Sequence, residues 1–160
     1  MENSRKARSR ALRKGRISQH GGIYLVTTTT HERRPFFEDF MLGRILVGEM
    51  NALHQCKMVD SLAFVIMPDH LHWLFRLRGD QGLSETVRRL KGRSARGINL
   101  KLGRIGPVWQ TGFHDHALRK HEDIRGVARY IVANPLRAGL VEQIGDYPLW
   151  DAAWLGAWEA

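Results

Sequence analysis

Two histidines stand one residue apart in Met67-Pro68-Asp69-His70-Leu71-His72-Trp73-Leu74-Phe75. An apolar run, Leu62 to Ile66, leads into them, so the segment reads as strand. Side chains alternate along a strand. His70 and His72 therefore point one way, and Leu71 and Trp73 the other. Two neutral imidazoles at this spacing can share one divalent cation. They can equally be ordinary polar positions on a sheet surface. His114 and His116 repeat the spacing in Gly112-Phe113-His114-Asp115-His116-Ala117. For that pair a ligand set, a phosphate-binding group and a loop brace all stay open.

Further chemistry lies on a helix pattern. Ile124, Val127, Ala128 and Ile131 form an apolar face, and Tyr130 and Asn134 share a line on its flank. Tyr130 can stand beside a metal for which Asn134 is a ligand. On the helix alone the pair reads as well as a half-buried aromatic and a helix C-cap before Pro135.

The elements that position these residues follow from period and punctuation. Ile23 to Thr30 is β-branched and reads as a strand; Arg33 to Phe37 reads as a loop. Leu42, Ile45, Leu46, Met50 and Leu53 recur at helical spacing behind Asp39, a plausible N-cap. Strands over about 58–67 and 70–78 flank a tight Pro68-Asp69 connection. A second helix runs from an N-cap at Ser84 to about Leu102, with Gly92 and Gly97 inside it. Val108 to Leu118 reads as a fourth strand or extended loop. A third helix spans about His121 to Ala133, stopped by Asn134-Pro135. The tail from 136, with three tryptophans, packs back on the core. The order β-α-β-β-α-β plus a helix is the α+β, ferredoxin-like arrangement: an antiparallel sheet, two helices on one face, the other face left for the additional helix or a ligand.

The 160 residues suffice for one domain with a core, expected over 20–160 behind a flexible basic arm, 1–19. The single cysteine, Cys56, excludes an internal disulfide and fits a reducing, cytosolic location. There is neither an apolar run of membrane-spanning length nor a secretory signal pattern. Net charge is +9, concentrated in two places. The arm carries Arg5, Lys6, Arg8, Arg10, Arg13, Lys14 and Arg16. The second helix carries Arg88, Arg89, Lys91, Arg93 and Arg96, with Lys101 and Arg104 at its end. Such clustering suits a polyanion; a solvated helix face and a disordered tail is the plainer alternative.

Taken together, Met67 to Phe75, Val108-Trp109-Gln110-Thr111-Gly112-Phe113-His114-Asp115-His116, and Ala128-Arg129-Tyr130-Ile131-Val132-Ala133-Asn134-Pro135-Leu136-Arg137 resemble the REP-associated tyrosine transposases, domesticated relatives of the single-tyrosine HUH transposases. The similarity runs from about Gly21 to Trp154 and includes the Asp146-Tyr147-Pro148-Leu149-Trp150 tail. The resemblance implies a ferredoxin-like fold, Mg²⁺ or Mn²⁺ on His70 and His72, and Tyr130 as nucleophile. It implies Asn134 as a further metal ligand, where Gln is the more usual residue. It also implies single-stranded DNA folded into hairpins as substrate, a 5′-phosphotyrosine and a free 3′-OH as products, and a DNA-bound, nucleoid-associated place in the cytoplasm. Relatives that exchange tyrosine helices are dimers; this chain can also build its site in cis as a monomer. A hairpin-binding protein without catalysis, and a hydrolytic nuclease in which Tyr130 is structural, are the competing functions.

Overall fold

The computed structural model describes residues 21–154. The arm expected over 1–19, with its seven cations from Arg5 to Arg16, lies outside the described residues. The elements are β1 (Ile23–Thr29), α1 (Phe40–Gln55), β2 (Val59–Met67), β3 (His70–Leu77), α2 (Leu83–Leu102), β4 (His114–Ala117), α3 (Ile124–Val132), a single turn α4 (Asn134–Arg137) and β5 (Trp150–Ala152). The strands form one sheet in the order β4-β1-β3-β2-β5, every pairing antiparallel. The first four strands and α1 and α2 give the expected ferredoxin-like order.

The sheet divides two cores. Tyr24, Val26, Leu71, Trp73, Phe75 and Leu77 face α1 and α2, meeting Leu42, Leu46, Met50, Leu53, Val87, Leu90 and Ile98. On the other face Ile23, Ala63, Val65, Met67 and Leu74 meet Ala128, Ile131 and Val132 of α3. Helix α1 starts as expected, with the Asp39 carboxylate accepting from Met41 N.

Four local expectations change. Helix α2 begins at Leu83 with Gly82 as its cap residue, not at Ser84. Leu83 is buried and anchors the first turn, and Thr86 bonds back to Gly82 O through both its backbone N and its hydroxyl. Gly92 and Gly97 leave α2 unbroken; a Cβ on Gly97 would press on Ile45 Cγ2 at 2.9 Å, so that glycine marks close approach to α1. Of Val108 to Leu118 only His114–Ala117 is a strand. Val108 and Trp109 are buried instead, and Trp109 Nε1 donates to Ser94 Oγ on α2. The third helix starts at Ile124 rather than His121, because Glu122 is drawn into a turn by Arg119 N and His116 Nε2.

The tail contributes a fifth strand that periodicity did not announce. Leu149 crosses to the α1 core, where a Cβ on Gly43 would overlap its Cδ1. Trp150 and Trp154 pack half-buried on the other side. Tyr147 Oη donates to Ile66 O, and burial pushes its hydroxyl pKa up to about 12.

Two outcomes test this closure. Leu149→Ala should cost about 2–5 kcal/mol, the usual range for an emptied leucine site, and Gly43→Ala should also destabilise; urea unfolding that leaves both at wild-type stability contradicts the packing. For Tyr147 the folded pKa lies above the ordinary value near 10. The unfolded chain therefore loses that proton first, and stability falls as pH rises from about 10 to about 12. Tyr147→Phe should remove that part of the alkaline slope in denaturation curves taken across the window.

Candidate active site

Alternation in β3 settles where the histidines point. Leu71, Trp73, Phe75 and Leu77 are at most 1% exposed in the α1–α2 core, so His70 and His72 emerge on the α3 side. Their rings lie edge to face, centroids 4.9 Å apart. Each is held through Nδ1. Thr27, directly across the strand pair from His72, places Oγ1 2.8 Å from its Nδ1. Asp69 places Oδ1 2.7 Å from His70 Nδ1, and Arg33 Nη1 donates to the other Asp69 oxygen at 3.2 Å. The Asp69 carboxylate can only accept, so it takes the Nδ1 proton of neutral His70 and leaves Nε2 as the lone-pair nitrogen; His72 presents Nε2 in the same way in the tautomer whose Nδ1–H donates to Thr27.

The charges favour the same role. Burial, then the neighbouring His70 and the Arg137 guanidinium, push the His72 pKa down to about 4, so the imidazole is neutral at ordinary pH. Partial burial pushes the Asp69 carboxyl up, but hydrogen bonds from His70 and Arg33 outweigh it, and its pKa lies below the usual carboxylate value. Two neutral imidazoles are a donor pair that a divalent cation could share, with its further ligands from solvent or substrate. Among the described residues no group of three or more His, Cys, Asp or Glu side chains is gathered for a metal.

The β1–α1 loop fixes this end of the sheet. Thr30, fully buried, sends its N and its Oγ1 to Asp69 O, and Phe37 N reaches Pro68 O. Glu32 and Arg33 take left-handed backbone angles, φ 54° and 57°. Such angles cost on the order of 1–3 kcal/mol each in side-chain-bearing residues. Here they accompany the Arg33–Asp69 ion pair.

Tyr130 is exposed at 65%, on the solvent side of α3, whose apolar face docks on β2 and β5. It is not a half-buried core aromatic. Tyr24 is 6% exposed in the opposite core, and Tyr147 is tied to Ile66. The turn α4 follows at once, with Pro135 in its first turn. Asn134 does act as a cap: its Nδ2 donates to Ile131 O at 2.8 Å, which leaves Oδ1 as the free half of the amide. Arg137 folds back on Tyr130, Nη2 donating to the Tyr130 carbonyl at 2.6 Å and the guanidinium standing 4.0 Å over the ring centroid.

The second histidine pair shares the face but not the site. His114 is the cross-strand partner of Thr27, one strand further from His72, and His116 is the partner of Leu25. His116 Nε2 pairs with Glu122, a loop brace. The cationic stripe of α2 sits on the layer opposite the histidines, and much of it is already engaged. Arg88 pairs with Glu85, Arg93 with Glu49, and Arg89 donates to Met58 Sδ. Lys91 Nζ donates to Gln110 O and Gly112 O, pinning the segment before β4. Arg96 is exposed. Thr27, Asp69, Arg33 and Arg137 escaped the sequence reading. Asp69 beside His70 was the one legible hint.

The model of the family described as Transposase IS200 like matches residues 18–134. A REP-associated tyrosine transposase of Escherichia coli (strain K12) is 34% identical over 87 residues, 54% of this chain and 50% of that protein. The chain thus aligns with half the length of that relative. A Haemophilus influenzae protein provisionally given the same name is 26% identical over 143 residues, 80% of this chain and 78% of its own. The solved structure of a REP-associated tyrosine transposase bound to a REP hairpin superposes with TM-score 0.70 at 26% identity, covering 84% of this chain and 79% of that one. The family match spans both histidines, the tyrosine and Asn134, and the chain belongs to the IS200-like transposases.

Proposed function

We propose that this chain cleaves and rejoins single-stranded DNA at hairpins of the REP kind, as a transposase whose nucleophile is Tyr130. One observation carries the reading most: an exposed tyrosine on a helix docked to the same sheet face that presents His70 and His72. The family supports DNA transposition as the setting, and the hairpin-bound relative supports the class of substrate.

In this reading the Tyr130 oxygen attacks phosphorus. A tyrosyl O–P bond forms and the P–O3′ bond breaks. The phenol gives up its proton, and the departing 3′ oxygen gains one. The phosphotyrosine bond keeps the energy of the phosphodiester, so the reverse step needs no nucleotide triphosphate. His70 and His72 offer their Nε2 atoms and Asn134 its Oδ1 to a Mg²⁺ or Mn²⁺ ion. When bound, that ion neutralises phosphate charge and orients the scissile group. Thr27 and Asp69 hold the imidazoles in the orientation this requires. Because α3 docks on the sheet of its own chain, a monomer contains every one of these groups.

The arm cations Arg5 to Arg16 and the α2 cations Arg88, Arg89, Arg93 and Arg96 grip backbone phosphates outside the scissile step. Lys91 serves the fold instead. No described helix is long and apolar enough to cross a membrane. A DNA substrate places the working chain in the cytoplasm, at the nucleoid.

Incubation with Mg²⁺ or Mn²⁺ and the hairpins flanking its own gene, read on a denaturing gel, should give a cut strand and a slow protein–DNA adduct. Tyr130→Phe should abolish both while DNA affinity and fold hold. His70→Ala or His72→Ala should abolish cleavage and leave much of the binding. An adduct that survives in Tyr130→Phe, or maps by mass spectrometry to Tyr24 or Tyr147, refutes the assignment. Binding without cleavage by the wild type points to a hairpin-binding protein. A cut without an adduct points to a hydrolytic nuclease.

Removing the charges of Arg88, Arg93 and Arg96 together should weaken hairpin binding. It should also flatten the slope of log K against log salt by roughly 0.7–0.9 for each phosphate no longer neutralised. An unchanged slope would show that α2 faces away from the DNA.

A further inference from the structure

We infer that Arg137 is a phosphate-binding residue of the active site, receiving the non-bridging oxygens of the phosphodiester that Tyr130 attacks. The inference rests on the reading of Tyr130 as nucleophile and deepens it.

Position comes first. The guanidinium lies 4.0 Å over the Tyr130 ring and is tied to the Tyr130 carbonyl at 2.6 Å, so it moves with the nucleophile. A phosphate bonded to the phenol oxygen extends from the edge of that ring, within reach of a fork stacked above it.

Charge comes second. Four surface arginines are spoken for by carboxylates: Arg33 by Asp69, Arg78 by Asp60, Arg88 by Glu85 and Arg93 by Glu49. Arg137 has no carboxylate among the described residues. Only Nη2 is used, for a backbone carbonyl. A guanidinium has five N–H donors in a planar fork that matches phosphate geometry. Here most of that fork stays open, held beside the one exposed tyrosine.

Local structure explains how it gets there. Helix α3 ends at Val132, and Pro135 sits in the first turn of α4. From that turn the long Arg137 side chain reaches back to residue 130. Bonding a last-turn carbonyl is an ordinary way for arginine to cap a helix. A cap alone would leave the chemistry untouched, and this sets the test.

The measurements are single-turnover adduct formation, hairpin affinity and melting temperature, each with Mg²⁺ and a hairpin that the wild type cleaves. Arg137→Ala should slow adduct formation by about a hundredfold, the scale of losing one preorganised donor at a reacting centre. Hairpin Kd should stay within about threefold, because the grip is spread over many phosphates. Arg137→Lys keeps the charge at the helix end but loses the fork, and should fall between. Added guanidinium ion should restore part of the Arg137→Ala rate, which a purely structural loss would not allow. Wild-type rates in Arg137→Ala overturn the inference. So does a rate loss that follows the melting temperature and ignores guanidinium. If the wild type forms no adduct at Tyr130, the functional reading falls and this inference with it; a wild-type adduct with an indifferent Arg137 sinks the inference alone.

Discussion

The burial of four side chains on one face of β3 governs the rest of the molecule. Leu71, Trp73, Phe75 and Leu77 are driven into the α1–α2 core, each worth about 1.5–3 kcal/mol of burial. Strand period is two, so a slip of one residue would exchange every one of them for a polar or smaller neighbour. That penalty fixes the register, and the register fixes His70 and His72 on the opposite face. The imidazoles gain their placement from residues that never touch them. Thr27 and Asp69 then hold each ring through its Nδ1, and the loop anchored by Thr30 sets Asp69.

The second layer brings α3, with Tyr130, to that face. Ala63, Val65 and Met67 give β2 a surface on which Ala128, Ile131 and Val132 can dock. Docking by those positions turns Tyr130 outward. The break before Pro135 then matters as much as the helix itself. A continuous helix would carry residue 137 two turns along the axis from Tyr130. Beyond the break the Arg137 side chain reaches back, and the cation meets the ring.

Much of this was legible because it rests on local period. Alternation in β3, helical spacing in α1 and α3, and the Asn134-Pro135 break all follow from neighbours in sequence. The parts that were not legible depend on partners far along the chain. Strand β5 is three residues long, and it forms because Leu149 has a slot at Gly43, more than a hundred residues away. Thr27 pairs with His72 only once β1 and β3 are in register. Among Val108 to Trp109 the extended pattern is real, yet the side chains are spent on α2 and leave the strand to His114–Ala117.

Charge illustrates the same gap more sharply. Counting cations singled out α2, where seven Lys and Arg gather from Arg88 to Arg104. In the fold that stripe faces away from the histidines, and Glu85, Glu49 and two backbone carbonyls take up three of its members. Arg137 stands alone in a segment whose net charge drew no notice, yet it is the cation fixed at the tyrosine. A run of like charges raises the concentration of a polyanion near the whole protein, an effect that depends on the total. A single guanidinium held by one carbonyl and one ring acts on one phosphate, an effect that depends on place. Affinity and chemistry can therefore be carried on different layers of the sheet, and a composition that reports the first is silent on the second.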